Sequence, residues 1–138
     1  MTPRDTGTGT VLEQMVLPAL QRGGYTHEKQ VNIGTRPGGG RHFVDAVAEK
    51  DGRKWLVSLK WQQVSGTAEQ KVPFEVICLA EAVLSDGYEA AYLVLGGEGW
   101  TLRDFYAGGG LQRHLTNPGK VNIVTLEGFV AKANQGRL

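Results

Sequence analysis

Trp55-Leu-Val-Ser-Leu-Lys-Trp-Gln62 is the spacing of a strand. Period two sets Trp55, Val57, Leu59 and Trp61 on one face, against a core, and Ser58, Lys60 and Gln62 on the other, toward water or a site. Thirteen positions before Ser58, the apolar stretch His42-Phe-Val-Asp-Ala-Val47 carries a single acid, Asp45, with Phe43 and Val47 on its own face. Asp51-Gly52 between the two stretches is a hairpin turn signal, so acid and amine are expected on neighbouring strands. A lone carboxylate in apolar company is costly unless a cation sits beside it. Lys60 or a metal ion would serve.

Working outward from this hairpin, Thr10 to Leu20 has helical spacing. Thr10-x-x-Glu13 forms a capping box, Gly23-Gly24 closes the segment, and Pro18 should kink or shorten it. Tyr25 to Ile33 is expected as a first strand, followed by a glycine-rich turn over Gly34 to Gly40 that bears Arg36. Arg41 to Glu49 and Lys54 to Trp61 are the next two strands. After Ser65-Gly66-Thr67 a helix runs to about Leu84, with Pro73 in its first turn and Val76, Leu79, Ala80 and Val83 on one face. Ala90 to Leu95 is apolar throughout, as expected of a strand buried on both faces. Thr101 to Leu115 reads as a helix interrupted by Gly108-Gly-Gly110. A strand over Val121 to Thr125 and a helix over Leu126 to Ala133 end the chain. The expected order is αβββαβαβα in one α/β domain spanning 1–138.

The 138 residues suffice for one core, and 41% hydrophobic with 21% charged residues is a globular balance. No apolar run approaches the roughly 20 residues of a membrane span. The polar opening Met1-Thr-Pro-Arg-Asp-Thr-Gly7 lacks the apolar stretch of a signal peptide, so a cytoplasmic location away from membranes is expected. The single cysteine, Cys78, excludes an internal disulfide and fits a buried position. Net charge is only +1, yet Arg22 to Lys60 holds eight Lys/Arg against four Asp/Glu, while the remainder holds seven against ten. The positive excess shares the half of the chain that carries Asp45 and Lys60, where phosphates would be drawn.

Mg²⁺ takes hard oxygen ligands, usually one or two carboxylates with water and substrate phosphate. Asp45 supplies one carboxylate and the Leu59 carbonyl a further oxygen, and Mn²⁺ would suit the same donors. Lys60 beside the phosphate would stabilise developing charge and help position or deprotonate the water. A cross-strand salt bridge between Asp45 and Lys60 accounts for the pair equally well on spacing alone. Arg36, Arg41 and His42 flank a turn whose glycines allow close approach of a polyanion, and Lys71, beside Gln70, could meet backbone phosphate. The histidines and lone cysteine have no zinc-site spacing, and no glycine pattern matches a nucleotide-binding loop.

A strand aspartate followed by a strand ending x-x-Lys within an αβββαβ core resembles the PD-(D/E)XK nuclease superfamily, over roughly Thr10 to Leu95. The resemblance implies a restriction-endonuclease-like α/β fold, with a mixed central sheet flanked by helices, and metal-dependent cleavage of DNA. The usual acid two residues before the lysine is replaced by Ser58. A branch of restriction enzymes shares Ser-x-Lys and takes the missing acid from the following helix; Glu75, expected in that helix's first turn, matches, with Glu69 on the preceding loop as a weaker alternative. Glu13 matches the first-helix acid of many members, and Gln62 the glutamine that often follows the lysine. Cutting both strands of a duplex from one small domain calls for a homodimer. Loss of the acid at Ser58 also leaves open a non-cutting relative that binds nucleic acid or serves in assembly.

Overall fold

Asp51 and Gly52 both adopt positive φ, 54° and 77°, the geometry of a two-residue hairpin turn that matches strand twist. The computed structural model describes residues 8–116 and 120–138, so the polar segment 1–7 lies outside the described residues. Around this turn, β2 (Arg41–Lys50) and β3 (Arg53–Trp61) pair antiparallel, and β1 (Thr26–Thr35) pairs antiparallel with β2. β4 (Ala90–Gly96) and β5 (Val121–Thr125) extend the sheet in parallel, giving the order β1-β2-β3-β4-β5. The helices are α1 (8–22), α2 (Ala68–Asp86), α3 (Arg103–Ala107) and α4 (Leu126–Asn134). The fold is α/β with a mixed sheet, in the order the sequence led us to expect.

Both faces of the sheet are covered. Trp55, Val57 and Leu59 of β3 and Tyr92 and Val94 of β4 pack with Leu12, Val16 and Leu20 of α1 and Phe129 of α4. Leu56, Leu93, Leu95 and Ile123 pack with Val72, Val76 and Leu79 of α2. β4 is thus buried on both sides, which is why it has no polar alternation. Cys78 is buried on α2. Trp100 is buried too, its indole N–H donating to the Gly96 carbonyl at 2.7 Å, so it plugs the core rather than lining a groove.

Four local expectations are corrected. Thr10 is already inside α1, so it is no cap, and Glu13 instead pairs with Lys29 of β1. Pro18 does not end α1: the stretch Leu12–Val16 widens to a π-helix, with the Leu17 amide bonding the Leu12 carbonyl, and the wider turn accommodates a ring that an α-helical turn would crowd. Pro73 lies in the second turn of α2, because the helix begins at Ala68. It has no amide to offer the Glu69 carbonyl four residues back, and the Tyr106 hydroxyl donates there instead at 2.8 Å. The helix expected over Thr101 to Leu115 shrinks to α3 and a 3₁₀ turn at Gln112–His114, since three successive glycines carry a high ordering cost and no side chain to pack.

Candidate functional site

Asp45 stands where β2 breaks its alternation. Val44 packs toward α2, whereas Ala46 and Ala48 pack toward α1. Gln30, opposite the break, has φ +55°, between the bridges Lys29↔Ala46 and Val31↔Val44. Asp45 therefore does not share a face with Phe43 and Val47, as strict period two had it. Pairing of β2 with β3 stops at Ala46↔Val57, while β3 stays paired with β4 as far as Trp61↔Gly96. A notch opens beside Leu59, and Asp45 Oδ2 fills it by accepting the Leu59 amide at 2.6 Å. A strand residue's N–H and C=O leave on the same flank, so the Leu59 carbonyl faces this notch as well.

Glu75 reaches the neighbourhood from above. It lies two turns into α2, on the face that buries Val72, Val76 and Leu79, and is itself only 3% exposed. Its Oε1 accepts Arg36 Nη1 at 2.5 Å; its Oε2 accepts the Ser58 hydroxyl at 2.9 Å and lies 3.4 Å from His42 Nε2. The Ser58 bond sets the Glu75 carboxylate beside the strand position from which the acid is missing. Burial alone would raise the Glu75 pKa, but His42, Arg36, the charge of Lys60 and the Ser58 hydroxyl outweigh it and bring it to about 2. Asp45 moves the other way. Burial pushes its carboxyl up and the charge of Glu75 adds to that, against the Leu59 amide and Lys60. Asp45, Lys60 and Glu75 thus feel one another's charge.

Arg36, Lys60, Gln70, Lys71, Phe74 and Glu75 line one cavity of about 360 Å³. Three cations and a buried carboxylate on one concave wall suit a polyanion together with a metal ion.

A family profile describing a PD-(D/E)XK nuclease superfamily domain matches residues 4–137, nearly the whole chain. The chain belongs to the PD-(D/E)XK nuclease superfamily. Among solved structures it is similar to one titled a protein of unknown function, AF1548, at 14% identity and a TM-score of 0.49; the match covers 80% of this chain and 54% of that one. The chain thus spans about half the length of that protein. No curated protein matches.

Several residues singled out in this nuclease-superfamily chain lie elsewhere. Glu13 is half exposed and bound to Lys29, and among the described residues no three Asp, Glu, His or Cys side chains gather as a metal-holding group, so it does not join Asp45 and Glu75. Gln62 is buried with its amide donating to the Gly99 carbonyl at 2.7 Å; it pins the loop after β4 and is not free to meet phosphate. His42 is 1% exposed against Glu75, which removes it from contact with nucleic acid. Arg41 is exposed at the start of β2 and does not line the cavity. Glu69 is in α2 rather than on the preceding loop, and accepts from Thr101 and Leu102 at the start of α3. Burial would raise its pKa, but these donors outweigh it and hold it low.

Ser58 and His42 as partners of Glu75, and Phe74 as a cavity wall, were not anticipated. A serine on a strand beneath an apolar helix must find a polar partner, and that was the available signal.

Proposed function

We propose that this chain is a metal-dependent DNA endonuclease that hydrolyses phosphodiester bonds with a metal-activated water. What supports this is that Lys60 of β3 and Glu75 of α2 line one cavity, that Asp45 of β2 feels the charge of both, and that Ser58 is bonded to Glu75 where the acid is missing. The residues fit a hard divalent cation. Asp45, Glu75 and the Leu59 carbonyl would hold Mg²⁺, and Mn²⁺ would suit the same oxygens. Burial, with a smaller contribution from the charge of Glu75, raises the Asp45 pKa despite the Leu59 amide and Lys60, so further positive charge beside it would be favourable. A bound ion supplies polarisation of the phosphate and a lowered pKa for water.

The chain's own groups do the rest. Lys60 faces the cavity and would offset charge that builds on the phosphate in the transition state. Lys71 and Arg36 on the same wall would seat the backbone, with Arg41 reaching phosphates further along. The Leu59 amide fixes the Asp45 carboxylate and the Ser58 hydroxyl orients Glu75, so both are held before substrate arrives. Two copies about a two-fold axis would serve both strands of a duplex. Restriction-type cleavage and junction, repair or mobile-element cleavage share this chemistry.

One observation favours a second reading: Arg36 already neutralises Glu75 from within the protein, as it would in a relative that binds nucleic acid or serves in assembly without cutting. Supercoiled plasmid with and without Mg²⁺ or Mn²⁺ separates the two. Endonuclease activity predicts metal-dependent nicking by the wild type and its loss in Lys60→Ala; DNA binding without nicking by the wild type rejects it.

A further inference from the structure

Arg36 sits where two cavities meet. It lines the one shared with Lys60, Lys71 and Glu75, and also a larger one of about 620 Å³ between the β1–β2 hairpin and the C-terminal half of α2, which includes His42, Glu81 and Asp86. Oε2 of Glu75 is occupied by Ser58 and His42, which leaves Oε1 as the oxygen open to an outside ligand. Arg36 holds that oxygen, at 2.5 Å. A divalent ion drawing on the same oxygen would meet a fixed positive charge beside it, and the two compete.

The two partners differ in freedom. Glu75 is 3% exposed and anchored in a long helix, whereas Arg36 is 27% exposed at the base of a turn. That turn is Pro37-Gly38-Gly39-Gly40, closed by the Arg36 and Gly39 amides on the Gly40 and Arg36 carbonyls. The guanidinium already lines the cavity it would swing into, and Glu75 would keep its contacts with Ser58 and His42. A phosphate there, with Lys60 and Lys71 beside it, would accept the guanidinium as a two-pronged donor.

We propose that Arg36 gates metal loading: it neutralises Glu75 until a nucleic-acid phosphate entering the shared cavity draws the guanidinium away and leaves Oε1 to the divalent ion. The gate rests on the metal site proposed above, and makes metal and nucleic-acid binding mutually reinforcing. Arg36 acts through Glu75 and is a positioning residue.

The test is calorimetric titration of Mn²⁺ into the full chain without DNA. Arg36→Gln should bind Mn²⁺ about tenfold tighter than the wild type, within the usual range of coupling between sites. Arg36→Lys keeps the charge and should restore wild-type affinity, and the gain should vanish when Glu75→Gln is added to Arg36→Gln. No gain in Arg36→Gln, or a gain that survives Glu75→Gln, overturns the gate. Asp45→Asn separates the two ideas. If binding depends on Asp45 but Arg36→Gln matches the wild type, the metal site stands and the gate falls; if no variant shows Asp45-dependent binding, both fall. A measurement on the wild type alone guards against misfolding of the variants: at matched ionic strength, sulfate as a phosphate mimic should tighten Mn²⁺ binding relative to chloride, and unchanged affinity overturns the gate.

Discussion

The Ser58 hydroxyl donates to Glu75 Oε2 across 2.9 Å, from the buried face of β3 to a point two turns into α2. An acid carried by a helix thereby stands in contact with the strand position that usually bears one in this superfamily. A metal ion is indifferent to which element supplies its oxygen. Glu75→Ser should lower Mg²⁺-dependent nicking by more than about 100-fold, beyond what a change outside the ligand set costs. Adding Ser58→Asp should recover at least about a tenfold part of that loss, since the carboxylate returns to the same space. Single-turnover rates on plasmid are the measurement. A folded double variant no better than Glu75→Ser would show that the two positions are not equivalent.

Folding raises the carboxyl pKa of Asp45 and lowers that of Glu75, so of the two only Asp45 should weaken the fold at neutral pH. A carboxyl raised above its ordinary value contributes stability at low pH and loses it as pH rises through the folded value. Asp45→Asn keeps an acceptor for the Leu59 amide and removes the buried charge. In chelator at pH 7 it should melt a few degrees above the wild type. Mg²⁺ should raise the melting temperature of the wild type and leave Asp45→Asn unmoved. A lower melting temperature for Asp45→Asn in chelator would mean that the charge is well compensated already.

How much was legible beforehand follows from what period and spacing encode. Element order came through because Trp55 to Gln62 and the α2 stripe keep their periods in sequence and Ala90 to Leu95 is an unbroken apolar run of strand length. Asp45 and Lys60 came through because polar groups interrupting apolar strands are conspicuous. The face of Asp45 did not, because the break opposite Gln30 is a backbone event with no residue signature. Gln62 looked available because it shares the parity of Lys60, yet β3 ends at Trp61 and Gln62 turns to the Gly99 carbonyl. Glu13 was drawn in by its match to the superfamily's first-helix acid, which says nothing of the Lys29 that pairs with it across on β1. His42 and Glu75 are 33 residues apart, and no local pattern reports a contact between a hairpin and a later helix.

Tyr106 and Pro73 form a second device outside the site. The Tyr106 hydroxyl satisfies the Glu69 carbonyl that Pro73 cannot, and so ties α3 to α2. Tyr106→Phe strands that buried carbonyl and should cost about 1–2 kcal/mol in urea unfolding. Replacing Pro73 by Ala as well restores an amide donor within α2, so the double variant should lose less than Tyr106→Phe alone. Equal losses would mean that the carbonyl finds water instead.

Glu75 should contribute acid sensitivity to the fold. Its pKa falls from 4.5 to about 2 on folding, so its contribution is complete above 4.5 and disappears as pH drops toward 2. A shift of that size corresponds to roughly 3 kcal/mol. Glu75→Gln leaves Arg36 without its partner and should be less stable than the wild type at pH 7, by about 2 kcal/mol once the partial exposure of Arg36 is allowed for. The gap should close on acidification, because the wild type then carries a neutral carboxyl that Gln imitates. Urea unfolding of both proteins at pH 7, pH 4 and pH 2.5 measures it. A gap that stays constant over that range would place the origin of the loss in packing around Ser58 and His42, not in the carboxylate charge.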